Sequence, residues 1–258
     1  MVSRADDGSA GDADYGAIAA SYARHRQPDP RIAALVHDAL GSARTVINVG
    51  AGTGSYEPVD RAVTAVEPSA SMRARRPSGR AVAVDATAED LPFPDGLFEA
   101  AMTTFSVHQW RDLGAGLSEM RRVTRGPVAI LTCDPDMVGS FWLDEYAPEV
   151  ITTEARRYPT LATLAKGLGG STRTTVVPVP FDCVDGFNEA YYGRPERLLD
   201  PPARHSCSAW SFVGADVHRR FTATLTAALA DGTWDRHHGH LRRQPTYEGS
   251  LVLMVSEP

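Results

Sequence analysis

Three glycines at alternate positions, Gly50, Gly52 and Gly54, follow the short apolar run Thr45–Val49. A run of that length and β-branched content reads as a buried strand. Glycine has no Cβ, so a glycine turn at the strand's end lets the backbone approach a ligand closely. In an open α/β sheet, the carboxyl ends of the strands are where nucleotide-like ligands bind. A second apolar run, Ala62–Val66, leads into Glu67, 19 residues beyond Asn48. A carboxylate there can accept hydrogen bonds from both hydroxyls of a ribose. A dinucleotide enzyme would use the same acid, so Glu67 alone does not discriminate. The glycine spacing does: it is G-x-G-x-G, not the G-x-G-x-x-G of dinucleotide sites, and Ser55-Tyr56-Glu57-Pro58 leaves little room for a helix before the next strand.

Further along, residues 83–100 read AVDATAEDLPFPDGLFEA and run into TTFSVHQWRD at 103–112. Together with the glycine loop and Glu67, in that order and spacing, this block resembles the class I S-adenosylmethionine-dependent methyltransferases of the small-molecule branch. The likeness covers residues 15–135. It implies that Gly50, Ala51, Gly52 and Gly54 lie under the methionine part of S-adenosylmethionine, with S-adenosylhomocysteine as product. Glu67, with Pro68 beside it, would hold the ribose, and Met72 would pack on the adenine. Thr87, Ala88 and Glu89 fall where the family meets the adenine edge. Thr104, Phe105 and His108 fall beside the methionine moiety, where the acceptor pocket opens. Tyr15 and Tyr22 share one face of a predicted first helix, which in the family folds over the cofactor and brings Arg26 toward its carboxylate, the alternative being a terminal helix that only docks on the body. Two residues depart from the pattern. Asn48 stands where the family usually has an acid, and Thr87 where an Asp often meets the adenine amino group, which puts the strength of cofactor binding in question.

The chemistry that the resemblance implies is direct displacement, with the protein aligning the acceptor and excluding water. An O–H or N–H acceptor must lose a proton, and His108 is the first candidate base, the alternative being a ring that only packs there. Trp110 is a candidate for the acceptor wall, for the adenine side, or for the core. Asp134 either faces the acceptor or forms the turn before Pro135. Tyr15, Trp142 and His205 are further acceptor candidates. Trp142, Tyr146, Tyr191, Tyr192, His205 and Trp210 would suit a flat, apolar acceptor or make a small core of their own. The His237-His238-Gly239-His240 segment has no carboxylate or Cys at helical spacing, so no metal site is expected.

The elements that must position these residues alternate as a doubly wound sheet requires. Strands are predicted at 45–49, 62–66, 81–84, 98–104, 127–133, 174–181 and 250–255. Helices are predicted at 15–24, at 30–40 with Gly41 as the stop, at 114–123, and around 139–168, 186–192 and 214–229. The expected fold is α/β and Rossmann-like, with seven strands, the last one antiparallel, and a helical cap. Residues 1–14 are expected to be a flexible lead-in and 15–258 one domain, with 15–135 holding the cofactor and 136–170 and 182–249 capping the acceptor. A net charge of −6 gives no nucleic-acid footprint. No apolar run is long enough for a membrane span. Three dispersed cysteines fit a reduced, cytoplasmic setting. The expected activity is methyl transfer to a small-molecule acceptor, with oligomeric state unspecified. The alternatives are a cofactor-binding relative with a cyclase or regulatory role and, more remotely, a nicotinamide oxidoreductase.

Overall fold

Val46, Ile47 and Val49 are stiff at χ1 and favour extended backbone. In the computed structural model, which describes residues 25–258, they form strand β1 (Thr45–Val49). β2 (Ala62–Val66), β3 (Ala100–Thr104) and β4 (Val128–Cys133) run parallel to it. β5 (Ser171–Val176) and β8 (Leu251–Glu257) complete a six-stranded sheet of order β2-β1-β3-β4-β8-β5, in which β8 pairs antiparallel with both neighbours. The predicted helix at 15–24 and the candidates Tyr15 and Tyr22 lie outside the described residues.

The sheet is apolar on both sides, as strands between two layers of helices must be. Val46, Met102, Leu131 and Leu253 face one core, while Ile47, Ala101, Ile130 and Met254 face the other. The second core is covered by the helix Leu113–Val123, which buries Leu117, Met120 and Val123. The helix Leu161–Leu168 packs beside it so closely that a Cβ on Gly167 would collide with Leu117. The first core is covered by the helix Pro30–Ala39, whose Ile32 and Val36 are fully buried. Asp29 caps that helix by accepting from the Arg31 amide at 3.0 Å, and Gly41 leaves it at φ +57°.

The strand expected at 81–84 is reduced to one parallel bridge between Val84 and Val66. Val82 is 92% exposed, so with no apolar cover only Val84 joins the ladder. The count is therefore six rather than seven. The strand expected at 174–181 is divided. β5 ends at Val176, and Val179–Pro180 (β6) pairs instead with Thr246–Tyr247 (β7) in a separate two-stranded sheet. Pro178, without an N–H, separates the two.

Residues beyond β6 return to the first face. Trp210, Phe221 and Trp234 are buried in the same core as Val46 and Met102, and Trp142 meets Trp234 edge to face at 5.6 Å. From this segment Asp185 reaches back across the carboxyl ends of the strands. It pairs with Arg26 along the backbone, and the Gly186 amide donates to His25 O at 2.7 Å. Among the described residues, no helix is long and apolar enough to cross a membrane.

Candidate active site

The carboxyl ends of β1, β2 and β3 open into a cleft of about 920 Å³, counted with its open mouth. Its floor is the loop after β1, where Gly50, Gly52 and Gly54 all have positive φ. At Gly50 the requirement is doubled, because φ is +69° and a Cβ would collide with Ser106 Oγ. Ser106 in turn accepts from Trp110 Nε1 at 3.0 Å, so the third strand's exit is pinned against the glycine loop.

Glu67 lies in the cleft wall. Its carboxylate accepts the Gly52 amide at 2.8 Å through Oε2 and the Ser69 amide at 2.8 Å through Oε1. Burial pushes its pKa up, against the pull of these two amides. Each oxygen keeps a lone pair for a further donor. Pro68, Met72, Thr87, Ala88, Glu89 and Trp110 extend the wall on this side. Glu89 Oε1 accepts the amides of Arg111 at 2.9 Å and Asp112 at 3.2 Å, which fixes the approach to the helix Leu113–Val123.

At the other end the wall is made of Arg26, Tyr56, Thr104, Phe105 and Asp185. Asp185 is fully buried and accepts from Arg26 Nε at 2.5 Å and from the Tyr56 hydroxyl at 2.7 Å. Burial and the Asp185 charge hold the Tyr56 hydroxyl well above its ordinary pKa. Tyr56 and Phe105 have φ of +62° and +51°, a conformation rarely adopted by bulky residues. Both residues line the cleft, so the backbone strain sits in its wall.

Of the residues singled out from the sequence, Arg26, Gly50, Ala51, Gly52, Glu67, Pro68, Met72, Thr87, Ala88, Glu89, Thr104, Phe105 and Trp110 line this cleft. Asn48 lies beneath it, buried, with Nδ2 donating to Glu57 Oε1 at 3.0 Å. A carboxylate is thus present beside the position where the family has one, but Arg76 grips both Glu57 oxygens at 2.9 Å. Gly54 packs against that same carboxylate rather than lining the cleft. His108 is displaced from the cleft into an adjoining cavity, where its ring meets Tyr158 edge to face at 4.7 Å.

Three acceptor candidates stand elsewhere. Asp134 caps the short helix Pro135–Val138, accepting the Asp136 amide at 3.1 Å. Trp142 is buried in the core and donates from Nε1 to Tyr192 O at 3.0 Å. His205 is exposed, its ring beside His218. Asp185, Tyr56 and Ser106 were not anticipated. Asp185 is 129 residues from its partner Tyr56, and no local pattern announces such a contact.

The comparisons with known proteins agree with this geometry. Residues 47–130 match the family model of a methyltransferase domain. The chain is 34% identical over 130 residues to malonyl-[acyl-carrier protein] O-methyltransferase of Pseudescherichia vulneris, covering 46% of this chain and 52% of that protein. It is 41% identical over 98 residues to demethylmenaquinone methyltransferase of Beutenbergia cavernae, covering 34% of this chain and 40% of that one. The chain thus spans about half the length of the curated relatives it matches. A solved structure from Anabaena variabilis, described as a proposed methyltransferase from an antibiotic biosynthesis pathway, superposes with a TM-score of 0.83. It is 26% identical, and the match covers 90% of this chain and 99% of that one. The fold is that of the class I methyltransferases. Residues 47–130 resemble a methyltransferase domain, which places the glycine loop and Glu67 inside the matched stretch.

Proposed function

We propose that the protein transfers the methyl group of S-adenosylmethionine to a small, aromatic or apolar acceptor. The observation that carries this reading is the cleft itself. The glycine loop, Glu67 and the Met72–Ala88 wall converge there, inside the stretch that matches a methyltransferase domain. Glu67 would accept from the ribose hydroxyls through its remaining lone pairs, and Met72, Ala88 and Trp110 would flank the adenine. The backbone of Gly50–Gly52 would run beside the methionine part. When bound, the cofactor supplies a methyl group activated on a sulfonium. The protein's own tasks are to orient the acceptor and to exclude water. The Arg26, Phe105 and Asp185 wall is placed for both.

The likeness to the Anabaena variabilis protein supports a specialised metabolite as acceptor. Three free, buried cysteines suit a reducing cytoplasmic setting. The test is incubation with S-adenosylmethionine labelled in its methyl group and a panel of aromatic and apolar acceptors. Label on an acceptor, matched by S-adenosylhomocysteine, is the expected result. Conversion of an acceptor with no S-adenosylhomocysteine formed would refute methyl transfer and favour a cyclase-type role.

A further inference from the structure

Behind Phe105 the open space continues inward. A space of about 410 Å³, counted with its open mouth, is lined by Arg26, Phe105, His108, Glu154, Tyr158 and Cys207, among others. Arg26 and Phe105 also line the cofactor cleft, so the cavity adjoins its methionine end. A deeper and smaller space, about 230 Å³ with its openings counted, shares Glu154 and Phe187 with it. Glu154 therefore stands where the two inner spaces meet.

The Glu154 carboxyl is aimed by a relay. Asn188 Nδ2 donates to Glu154 Oε2 at 2.7 Å, and Asn188 Oδ1 accepts from Trp210 Nε1 at 3.0 Å. An indole N–H can only donate, so fully buried Trp210 decides which end of the Asn188 amide faces the carboxyl. The second oxygen of Glu154 is left for a ligand. Glu154 belongs to none of the ion pairs formed among the described residues; the Arg157 and Arg26 charges act on it only from beyond contact, and Arg26 is paired with Asp185. Burial raises the pKa of Glu154, as it does for Glu189 in the deeper space. Phe105, Tyr158 and Phe187 bring aromatic surface to the lining, with Phe105 and Phe187 at 5.6 Å, beside Ser206, Cys207 and Ser208. A carboxyl outside any ion pair, at the entrance to a deeper apolar space, suits a ligand that brings its own positive charge.

We propose that these two spaces hold the acceptor, that the acceptor is a small apolar amine, and that Glu154 binds its ammonium group and takes its proton. The proposal rests on the methyl-transfer reading above. One N–H bond of the ammonium breaks, and its electron pair stays on nitrogen as the lone pair to be methylated. The proton goes to the Glu154 carboxylate and from there to solvent after turnover. His108, packed on Tyr158, is then part of the wall rather than the base.

The test is calorimetry on the protein saturated with S-adenosylhomocysteine, comparing benzylamine with its near-isostere benzyl alcohol at neutral pH. Benzylamine is expected to bind tighter by about tenfold or more, the scale of a charged hydrogen bond. Glu154→Gln should abolish that preference and leave S-adenosylhomocysteine affinity unchanged. Equal binding of the two probes, binding of neither while S-adenosylhomocysteine still binds, or a preference that survives in E154Q would overturn the proposal. The wild-type comparison decides alone should E154Q fail to fold. Failure of S-adenosylhomocysteine itself to bind would instead remove the reading beneath it.

Discussion

Asp185 carries much of the cleft's geometry. It is the shared partner of Arg26, whose side chain is 11% exposed, and of Tyr56, held at positive φ. Removing one member of a buried ion pair strands the other. Asp185→Ala should therefore cost about 3 kcal/mol, the lower range for breaking such pairs, read as a shift of the urea midpoint. The Tyr56 hydroxyl should titrate closer to its ordinary range in that variant, because one cause of its elevation is gone. An unchanged urea midpoint would show that the pair contributes nothing to the fold. The residues legible from sequence, such as Glu67 and the glycines, announce themselves through their distance from a strand end. Asp185 and Glu154 have no such signature. Their meaning arises only when segments far apart in the chain are folded together.

Local order at the element scale is set by short-range signals. The helix Leu113–Val123 starts at Asp112, whose carboxylate accepts the Ala115 amide at 2.9 Å. Asp112→Ala should destabilise by about 1 kcal/mol, the usual loss for an N-cap, measured by urea unfolding. A larger loss would mean that Glu89, which accepts the Asp112 amide, depends on the same turn. β1, β2 and the Pro30–Ala39 helix were readable because their signals lie within or next to the element: β-branched runs and a terminal Gly. The strand expected at 81–84 was not, because pairing there depends on apolar cover that Val82 lacks. The run at 174–181 has the composition of one strand, yet Pro178 divides it between two sheets.

Across the whole molecule, the two apolar cores enclose few charges, and those few make stability depend on pH. Glu189 is 5% exposed and accepts the Ser250 amide with both oxygens. Burial pushes its pKa from 4.5 up to about 7. Between those values the unfolded chain has released the proton that the folded chain still holds, so this group's contribution falls as pH rises through the window. Glu189→Gln does not ionise, and its stability relative to wild type should improve from pH 4.5 to pH 7. A difference independent of pH in paired denaturation curves would contradict the assignment. This coupling was invisible in the sequence, where nothing near Glu189 announces its distant partner Ser250. Its burial is a product of the return of residues 182–249 to the sheet.

The central claim is that the cleft binds S-adenosylmethionine through Glu67. The direct measurement is calorimetry of S-adenosylhomocysteine on wild type, Glu67→Gln and Glu67→Ala. Binding to the wild type is expected, weakened about tenfold or more in E67A as a charged hydrogen bond is lost, with E67Q between the two because it keeps one acceptor. A wild type that does not bind, or an E67A variant that binds equally well, would contradict it.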